Sequence, residues 1–244
     1  MALGTIRPIL GVPELRKRIG WTFALLFIYS LGTYIPLPGV NLDMFREQME
    51  RFQSSSLGKV FGMANILSGG SMENYSIFFM GIMPYISASI IFQILTKVVP
   101  VLERMSKEGD GGRRRINKWM RVSTVGVAFI QGMTYAYTLK QRSSTGGTFI
   151  YGDPTFFHFI LPTVLSWTAG TMFLMWLGEQ ISEHGVGNGI SLIIMAGIVG
   201  RAPAVIDILA EDVKAGTFSY AKVVALLFLY VFMVVGIVLV TQAQ

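Results

Sequence analysis

The sequence contains no cysteine, only two histidines, and few charged residues, which make up 14% of its 244 positions. Soluble domains are about one quarter charged, so the shortage of charge is unusual for a water-soluble fold. The absence of cysteine excludes a disulfide-stapled fold and a zinc-thiolate module. A hydrophobic content of 52%, gathered into blocks, excludes a disordered chain. These features together predict an α-helical membrane protein.

Six stretches contain no Asp, Glu, Lys or Arg and approach the length that a helix needs to cross a bilayer, about 20 residues. They predict an all-α polytopic protein with six transmembrane helices, the fifth of which is the shortest. The stretches are residues 19–35, 74–96, 122–139, 154–178, 185–200 and 223–240.

The positive charges between these stretches predict a cytoplasmic N-terminus. With that orientation twelve Lys and Arg residues lie inside and eight lie outside, and the whole net charge of +6 is on the inner side. The densest group of cations, in residues 113–121, is also inside, as the positive-inside rule requires. We therefore expect a multi-pass protein of the cytoplasmic membrane with its N-terminus inside.

The composition of the six stretches argues against two classes of membrane protein. A coupled transporter usually carries a carboxylate, Lys or Arg near the middle of the membrane, and none of the stretches contains one. An intramembrane protease needs a cluster of catalytic groups within the membrane, but His158 and His184 are predicted to lie at opposite sides of the membrane. The sequence also has no GxxxxGK[ST] phosphate loop. We therefore expect no enzymatic activity, no metal and no cofactor, and a pore or a scaffold becomes the leading interpretation.

Paired isoleucines and an apolar loop are the residue patterns that favour a pore. Ile82 and Ile86 flank Pro84, which can bend the helix, and Ile190 and Ile194 have the same i, i+4 spacing. Such pairs can build a hydrophobic constriction, although most aliphatic residues in membrane helices face lipid or pack. Residues 60–72 are apolar but too short to cross, which fits either a re-entrant segment or a surface loop.

Several motifs resemble the SecY family, the channel subunit of the bacterial Sec protein translocon. They occur in the family's order, from about residue 12 to the end of the chain. The motifs are YIPLPGV (34–40), SGG (68–70), GIMPYISASI (81–90), EGDGGRRRI (108–116), GTMFLMWLGEQI (170–181) and GVGNGIS (185–191).

The resemblance implies a protein-conducting channel that passes unfolded polypeptides across the membrane and inserts transmembrane segments into it. It places Ile82, Ile86, Ile190 and Ile194 in a pore ring. Residues 60–72 become a plug with Gly69 and Gly70 as its hinge, and its packing face comprises Phe61, Met63, Ile66 and Leu67.

A lateral gate for signal sequences is implied at the second and third spans, where Ile90, Ile91 and Gln93 are the proposed lining residues. For Gln93 an interhelical hydrogen bond is an equally good interpretation. Residues 103–121 are expected to be a charged cytoplasmic loop. Together with the 178–189 loop it is implied to dock the ATPase SecA or a ribosome, through Arg113, Arg114, Arg115, Glu179 and Glu183. Within the 178–189 loop, Asn188 is expected to cap the start of the fifth helix.

The further partners that the resemblance implies are SecE, SecG, polypeptides with signal sequences, and membrane lipids, with no direct contact to nucleic acid.

The family has ten spans in two inverted halves. Residues 1–210 would be the first half of five helices, and 220–244 the first helix of the second. A half channel cannot enclose a polar pore, so we expect that the 244-residue chain is truncated and does not translocate alone. The alternative function is a multi-pass transporter of small solutes.

Overall fold

The computed structural model describes residues 12–53, 62, 65–66, 68–146, 149–152, 155–214 and 219–242. Within them the chain is helical and forms no strand beyond two isolated bridges. The helices are α1 Pro13–Gly32, α2 Leu42–Gln53, α3 Met83–Val98, α4 Pro100–Lys107, α5 Asp110–Gly146, α6 Leu161–His184, α7 Gly189–Lys214 and α8 Tyr220–Gln242, with a π-helical turn at Phe156–Ile160. The predicted all-α class is confirmed.

The chain divides into two compact units, residues 1–200 and 201–244. In the first unit α3 packs against α5, α5 against α6, and α1 against α6. The second unit contains the end of α7 and the whole of α8, whose apolar side chains are exposed.

Two described helices are long and apolar enough to cross a membrane, Phe156–His184 and Ala221–Gln242. A third candidate span is α3 together with α4, which bends by 96° at their junction. The stretches 19–35 and 122–139 lie largely in α1 and α5, which also contain charged turns such as Arg16–Arg18 and Arg113–Arg115. The count of six spans and the cytoplasmic N-terminus therefore stay predictions.

The second predicted span differs from the structure in its first half. Residues 68–82 form successive turns, and α3 begins only at Met83. Pro84 lies in the first turn of α3, where backbone amides have no partner within the helix. The missing amide hydrogen of proline therefore costs no hydrogen bond, and Pro84 favours a helix start and does not bend the helix. The expected bend at Pro84 was wrong for this reason.

The irregular segment 68–82 is held by backbone hydrogen bonds to the stretch that follows α1. The amide of Leu37 donates to the carbonyl of Tyr75 at 3.0 Å, and the amide of Ile77 donates to Ile35 at 3.1 Å. A second short pairing joins residues 39–41 to 149–151, where the Asn41 amide donates to Phe149 at 2.7 Å. Each pairing joins parts of the chain that are distant in the sequence.

An aromatic core, formed around Trp167, packs between this segment and α6. Trp167 is fully buried and stacks on Phe79 with ring centroids 4.3 Å apart. Tyr75 meets Trp167 edge-on at 5.6 Å and Phe45 at 5.3 Å. Edge-on and offset stacked pairs add stabilisation beyond their buried area. This core fixes α6 against residues 75–79.

The segment lies directly against α6 at Gly170. A Cβ atom at this position would collide with the carbonyl oxygen of Ile77. Thr171 then donates a hydrogen bond to the carbonyl of Gly81 at 3.3 Å. Only glycine permits this contact between backbones.

We expect Gly170→Ala to destabilise the protein, because overpacking of this kind costs about 1–3 kcal/mol. The matched control is Gly126→Ala in α5, where a Cβ atom would meet nothing within 4 Å. Alanine there should stabilise the helix by up to about 1 kcal/mol. Thermal unfolding of the detergent-purified protein, followed by circular dichroism, measures both. Equal midpoints for the two variants would contradict the close contact at Gly170.

Candidate functional site

The isoleucine cluster lies between α1, α3, α6 and the start of α7. Its buried members are Leu25, Tyr29, Phe78, Ile82, Leu174, Leu177, Ile181 and Ile193. The four isoleucines that the sequence singled out all belong to it: Ile82 is 4% exposed, and Ile86, Ile190 and Ile194 are partly buried against the cluster. The fold thus brings together two isoleucine pairs that are about one hundred residues apart in the sequence.

Both isoleucine pairs stand at the beginning of a helix. Ile82 is the residue immediately before α3, and the Ile86 amide donates to the Ile82 carbonyl at 3.1 Å in the first turn. Ile190 is the second residue of α7, and Ile194 follows one turn later. Side chains at i and i+4 share one face of a helix, so each pair presents two neighbouring aliphatic groups.

Asn188 caps the start of α7, as its sequence position predicted. Its Oδ1 accepts hydrogen bonds from the amides of Ile190 at 3.1 Å and Ser191 at 3.2 Å. These are two of the donors that a helix start leaves without helical partners. The cap defines where the helix that carries Ile190 begins.

The predicted plug lies only partly in the described residues. Phe61, Met63 and Leu67 are outside them, while Ile66 is described and is 44% exposed. The following turn is hydrogen-bonded internally: Asn65 Nδ2 donates to Glu73 Oε1 at 2.6 Å, and the Glu73 amide donates to Asn65 Oδ1 at 3.3 Å. These two bonds join the residues before Gly69 to those after Gly70.

Gly69 and Gly70 both adopt positive φ, at +68° and +84°, a conformation that favours glycine. Gly69 also lies where α1 and α7 converge. A Cβ atom on it would be 2.8 Å from the Tyr29 hydroxyl oxygen and 3.0 Å from the Gly197 Cα. The predicted hinge is therefore a point of backbone contact with α7, which its sequence alone did not indicate.

The proposed lateral-gate residues lie on an exposed face of α3. Ile90 and Ile91 are 52% and 49% exposed, and Gln93 is exposed as well. The Gln93 Nε2 donates to Ser89 Oγ at 3.2 Å within the same helix. Neither a gate contact nor an interhelical bond is therefore formed by this amide in the described structure.

The charged region 103–121 is helical, and the prediction of a loop was wrong. α4 runs to Lys107, the chain turns at Glu108 and Gly109, and α5 begins at Asp110. Pro100 in the first turn of α4 favours a helix start at that point. Arg113, Arg114 and Arg115 are exposed on the first turns of α5. The cations thus project from helices and not from a loop.

Two ion pairs involve residues of α4, α5 and the end of α6. Lys107 Nζ is 2.6 Å from Glu103 Oε1, and this hydrogen bond lowers the pKa of the Glu103 carboxyl. Arg121 Nε is 2.7 Å from Glu179 Oε1, which joins α5 to the end of α6. Glu183, one turn further along α6, is exposed. Of the two acidic residues predicted to dock a partner, Glu179 is thus engaged within the chain.

Within the part of the chain that the structure describes, no group of three or more His, Cys, Asp or Glu side chains could hold a metal ion. His158 and His184 lie before the start of α6 and at its end, respectively, as expected from the sequence.

Relatives of this chain are subunits of protein translocases. The chain is 39% identical over 240 residues to protein translocase subunit SecY of Aquifex aeolicus, covering 98% of this chain and 55% of that protein. It is 46% identical over 193 residues to SecY of Thermus thermophilus, covering 78% and 42%. It is 41% identical over 210 residues to SecY of Escherichia coli K12, covering 86% and 46%. The chain spans about half the length of these relatives.

Two solved structures share the fold, each with a TM-score of 0.51 and 18% sequence identity. One is described as the structure of a protein conducting channel, with 79% of this chain and 40% of that chain covered. The other is Sec61 in the canine ribosome-channel complex from the endoplasmic reticulum, with 75% and 36% covered. The sequence model of the SecY family matches residues 76–244. From this match and the identities above, the chain belongs to the SecY family.

Proposed function

We propose that this chain is the pore-forming part of a channel that conducts unfolded polypeptides across the cytoplasmic membrane and releases transmembrane segments into it. The observation that carries the proposal is the convergence of Ile82, Ile86, Ile190 and Ile194 in one hydrophobic cluster. The curated relatives are named as translocase subunits, which favours a channel over a small-solute transporter.

A ring of isoleucine side chains suits this function for a physical reason. Aliphatic groups offer no ligands to ions, so a narrow apolar constriction excludes water and ions by dewetting. The same groups adapt to the varied side chains of a passing polypeptide, because they impose no directional bonds. In this proposal the isoleucine pairs at the starts of α3 and α7 form part of that ring.

The other proposed parts of the channel follow from the same arrangement. The exposed face of α3 with Ile90, Ile91 and Gln93 would line the lateral gate. The turn at Gly69 and Gly70 would be the plug hinge, held by Tyr29 and Gly197.

The proposed cytoplasmic surface comprises α4, the first turns of α5 and the end of α6. Exposed Arg113, Arg114 and Arg115 would attract an acidic surface of SecA or a ribosome. SecE and SecG are the proposed partner subunits, and hydrolysis of ATP would belong to a partner.

We expect a single cysteine at Ile86 to crosslink to a cysteine in a polypeptide that is arrested during translocation. The sequence has no cysteine of its own, so no background crosslink arises from this chain. The control is Ile28→Cys on α1, which is 43% exposed. The measurement is the yield of crosslinked product on a denaturing gel, in membranes that contain the complete channel.

Crosslinking at position 28 and not at position 86 would overturn the assignment of Ile86 to the pore. Saturable uptake of a small solute by vesicles that contain the purified protein would instead favour the transporter.

We expect Gly69→Ala to raise the ion conductance of the resting channel, because the new Cβ atom would press on the Tyr29 hydroxyl and on Gly197. Gly152→Ala is the matched control, since Gly152 has a similar φ of +76° but open space around its Cα. Both variants carry the strain of alanine at positive φ, and only the first adds a collision. Planar-bilayer recordings of the complete channel measure the conductance. An equal response of the two variants would show that the contact at Gly69 has no part in closure.

A further inference from the structure

The short turn between α6 and α7 is held by hydrogen bonds from side chains on both sides of it. The amide of Val186 donates to the Thr22 hydroxyl at 3.1 Å, and the amide of Gly189 donates to the Ser182 hydroxyl at 2.9 Å. Asn188 accepts from the next two amides, as described above. One amide of the turn and the first three amides of α7 are therefore paired with side chains.

Thr22 is the only one of these three side chains that comes from another part of the chain. It lies on α1, is 7% exposed, and its hydroxyl donates to the Arg18 carbonyl at 2.9 Å. Because the hydroxyl hydrogen is used in this bond, the oxygen presents its lone pairs to the turn. A Cβ atom on Gly185 would collide with the same oxygen, so the turn packs directly on α1.

Ser182 performs the matching role on α6. Its hydroxyl donates to the Gly178 carbonyl at 2.9 Å while it accepts the bond from Gly189. A Cβ atom on Gly189 would collide with the Gly178 carbonyl oxygen. The first residue of α7 is thus held against the last turns of α6 by a hydrogen bond and by backbone contact.

The first turn of α7 carries the isoleucines of the cluster, so its position decides where their side chains lie. A Cβ atom on Gly178 would be only 3.0 Å from Ile190 Cγ1, which places Ile190 directly over α6. Ile193 is 2% exposed and anchors the next turn. A shift of the turn at 185–188 would move Ile190 and, through the helix, Ile194.

We infer that Thr22 and Ser182 are positioning residues for the pore ring. They act through the α6–α7 turn and set the place of Ile190 and Ile194 when the channel is at rest. The inference rests on the proposed ring and names residues outside it. Thr22 also makes α1 a support of the ring, although no residue of α1 was among the predicted ring residues.

The test is Thr22→Val in the complete channel, which keeps the size of the side chain and removes the oxygen that accepts from Val186. Losing a hydrogen bond of this kind costs about 0.5–1.5 kcal/mol, so we expect the resting ion conductance to rise by about two- to twelvefold. Thr22→Ser retains the hydroxyl and should restore the resting value. Planar-bilayer recordings measure the conductance, and thermal unfolding of the same preparations reports stability.

The matched control is Thr134→Val on α5. The Thr134 hydroxyl donates to the Ile130 carbonyl at 3.0 Å, the same bond within one helix that Thr22 makes to Arg18. Thr134 should therefore reproduce any effect on the helix itself and leave the resting conductance unchanged. A rise in conductance in Thr22→Val that is absent from Thr134→Val and reversed in Thr22→Ser supports a positioning role.

Two further variants distinguish a failure of the positioning role from a failure of the proposed ring. Ser182→Ala removes the hydroxyl that accepts from the Gly189 amide and leaves α1 unchanged, and it provides the same readout if Thr22→Val does not fold. Ile190→Ala tests the ring directly. A raised conductance in Ile190→Ala with none in Thr22→Val or Ser182→Ala would overturn the positioning role and leave the ring intact. An unchanged conductance in all three would overturn the proposed ring, and the inference with it.

Discussion

Backbone groups that leave a helix within an apolar layer need new hydrogen-bond partners, and this requirement governs residues 68–82. The segment obtains some of them from the stretch that follows α1, through Leu37 and Ile35. It obtains others from hydroxyl groups: Ser71 donates to the Ser68 carbonyl at 2.6 Å, and Ser76 accepts from the Phe78 amide at 3.1 Å. The start of α3, the packing of Trp167 and the close contact at Gly170 all depend on a segment that is satisfied in this way.

The irregular segment also explains why the isoleucines of α3 face those of α7. Each pair follows a non-helical stretch whose path is fixed by contacts to α1 and α6. Tyr29 contributes on α1: its ring stacks on Phe78 at 6.2 Å, and its hydroxyl lies beside Gly69 and Gly197. α1 and α6 thus hold the two non-helical stretches in place, and these stretches position the two isoleucine pairs.

The parts of this arrangement that follow from local pattern were predictable, whereas those that depend on distant contacts were not. The cap at Asn188 is a local signal, and its prediction was confirmed. The late start of α3 was missed, because residues 74–82 are as apolar as a helix that crosses a membrane. Their turns depend on bonds such as Asn74 Nδ2 to the Thr33 carbonyl, 41 residues away. The roles of Thr22 and Gly170 were invisible for the same reason, since each depends on a partner far along the chain.

Helix starts normally attract anions, because their free amides and the helix dipole both favour negative charge. The starts of α3 and α7 are modified in this respect. Pro84 has no amide hydrogen to offer, while the amides of Gly189, Ile190 and Ser191 already donate to Ser182 and Asn188. A chloride or phosphate ion that reaches these two helix starts finds those donors either missing or occupied. Beside the isoleucine cluster, the start of α7 thus has three amides that are already paired and the start of α3 has one position without an amide hydrogen, which weakens the attraction of both helix starts for anions.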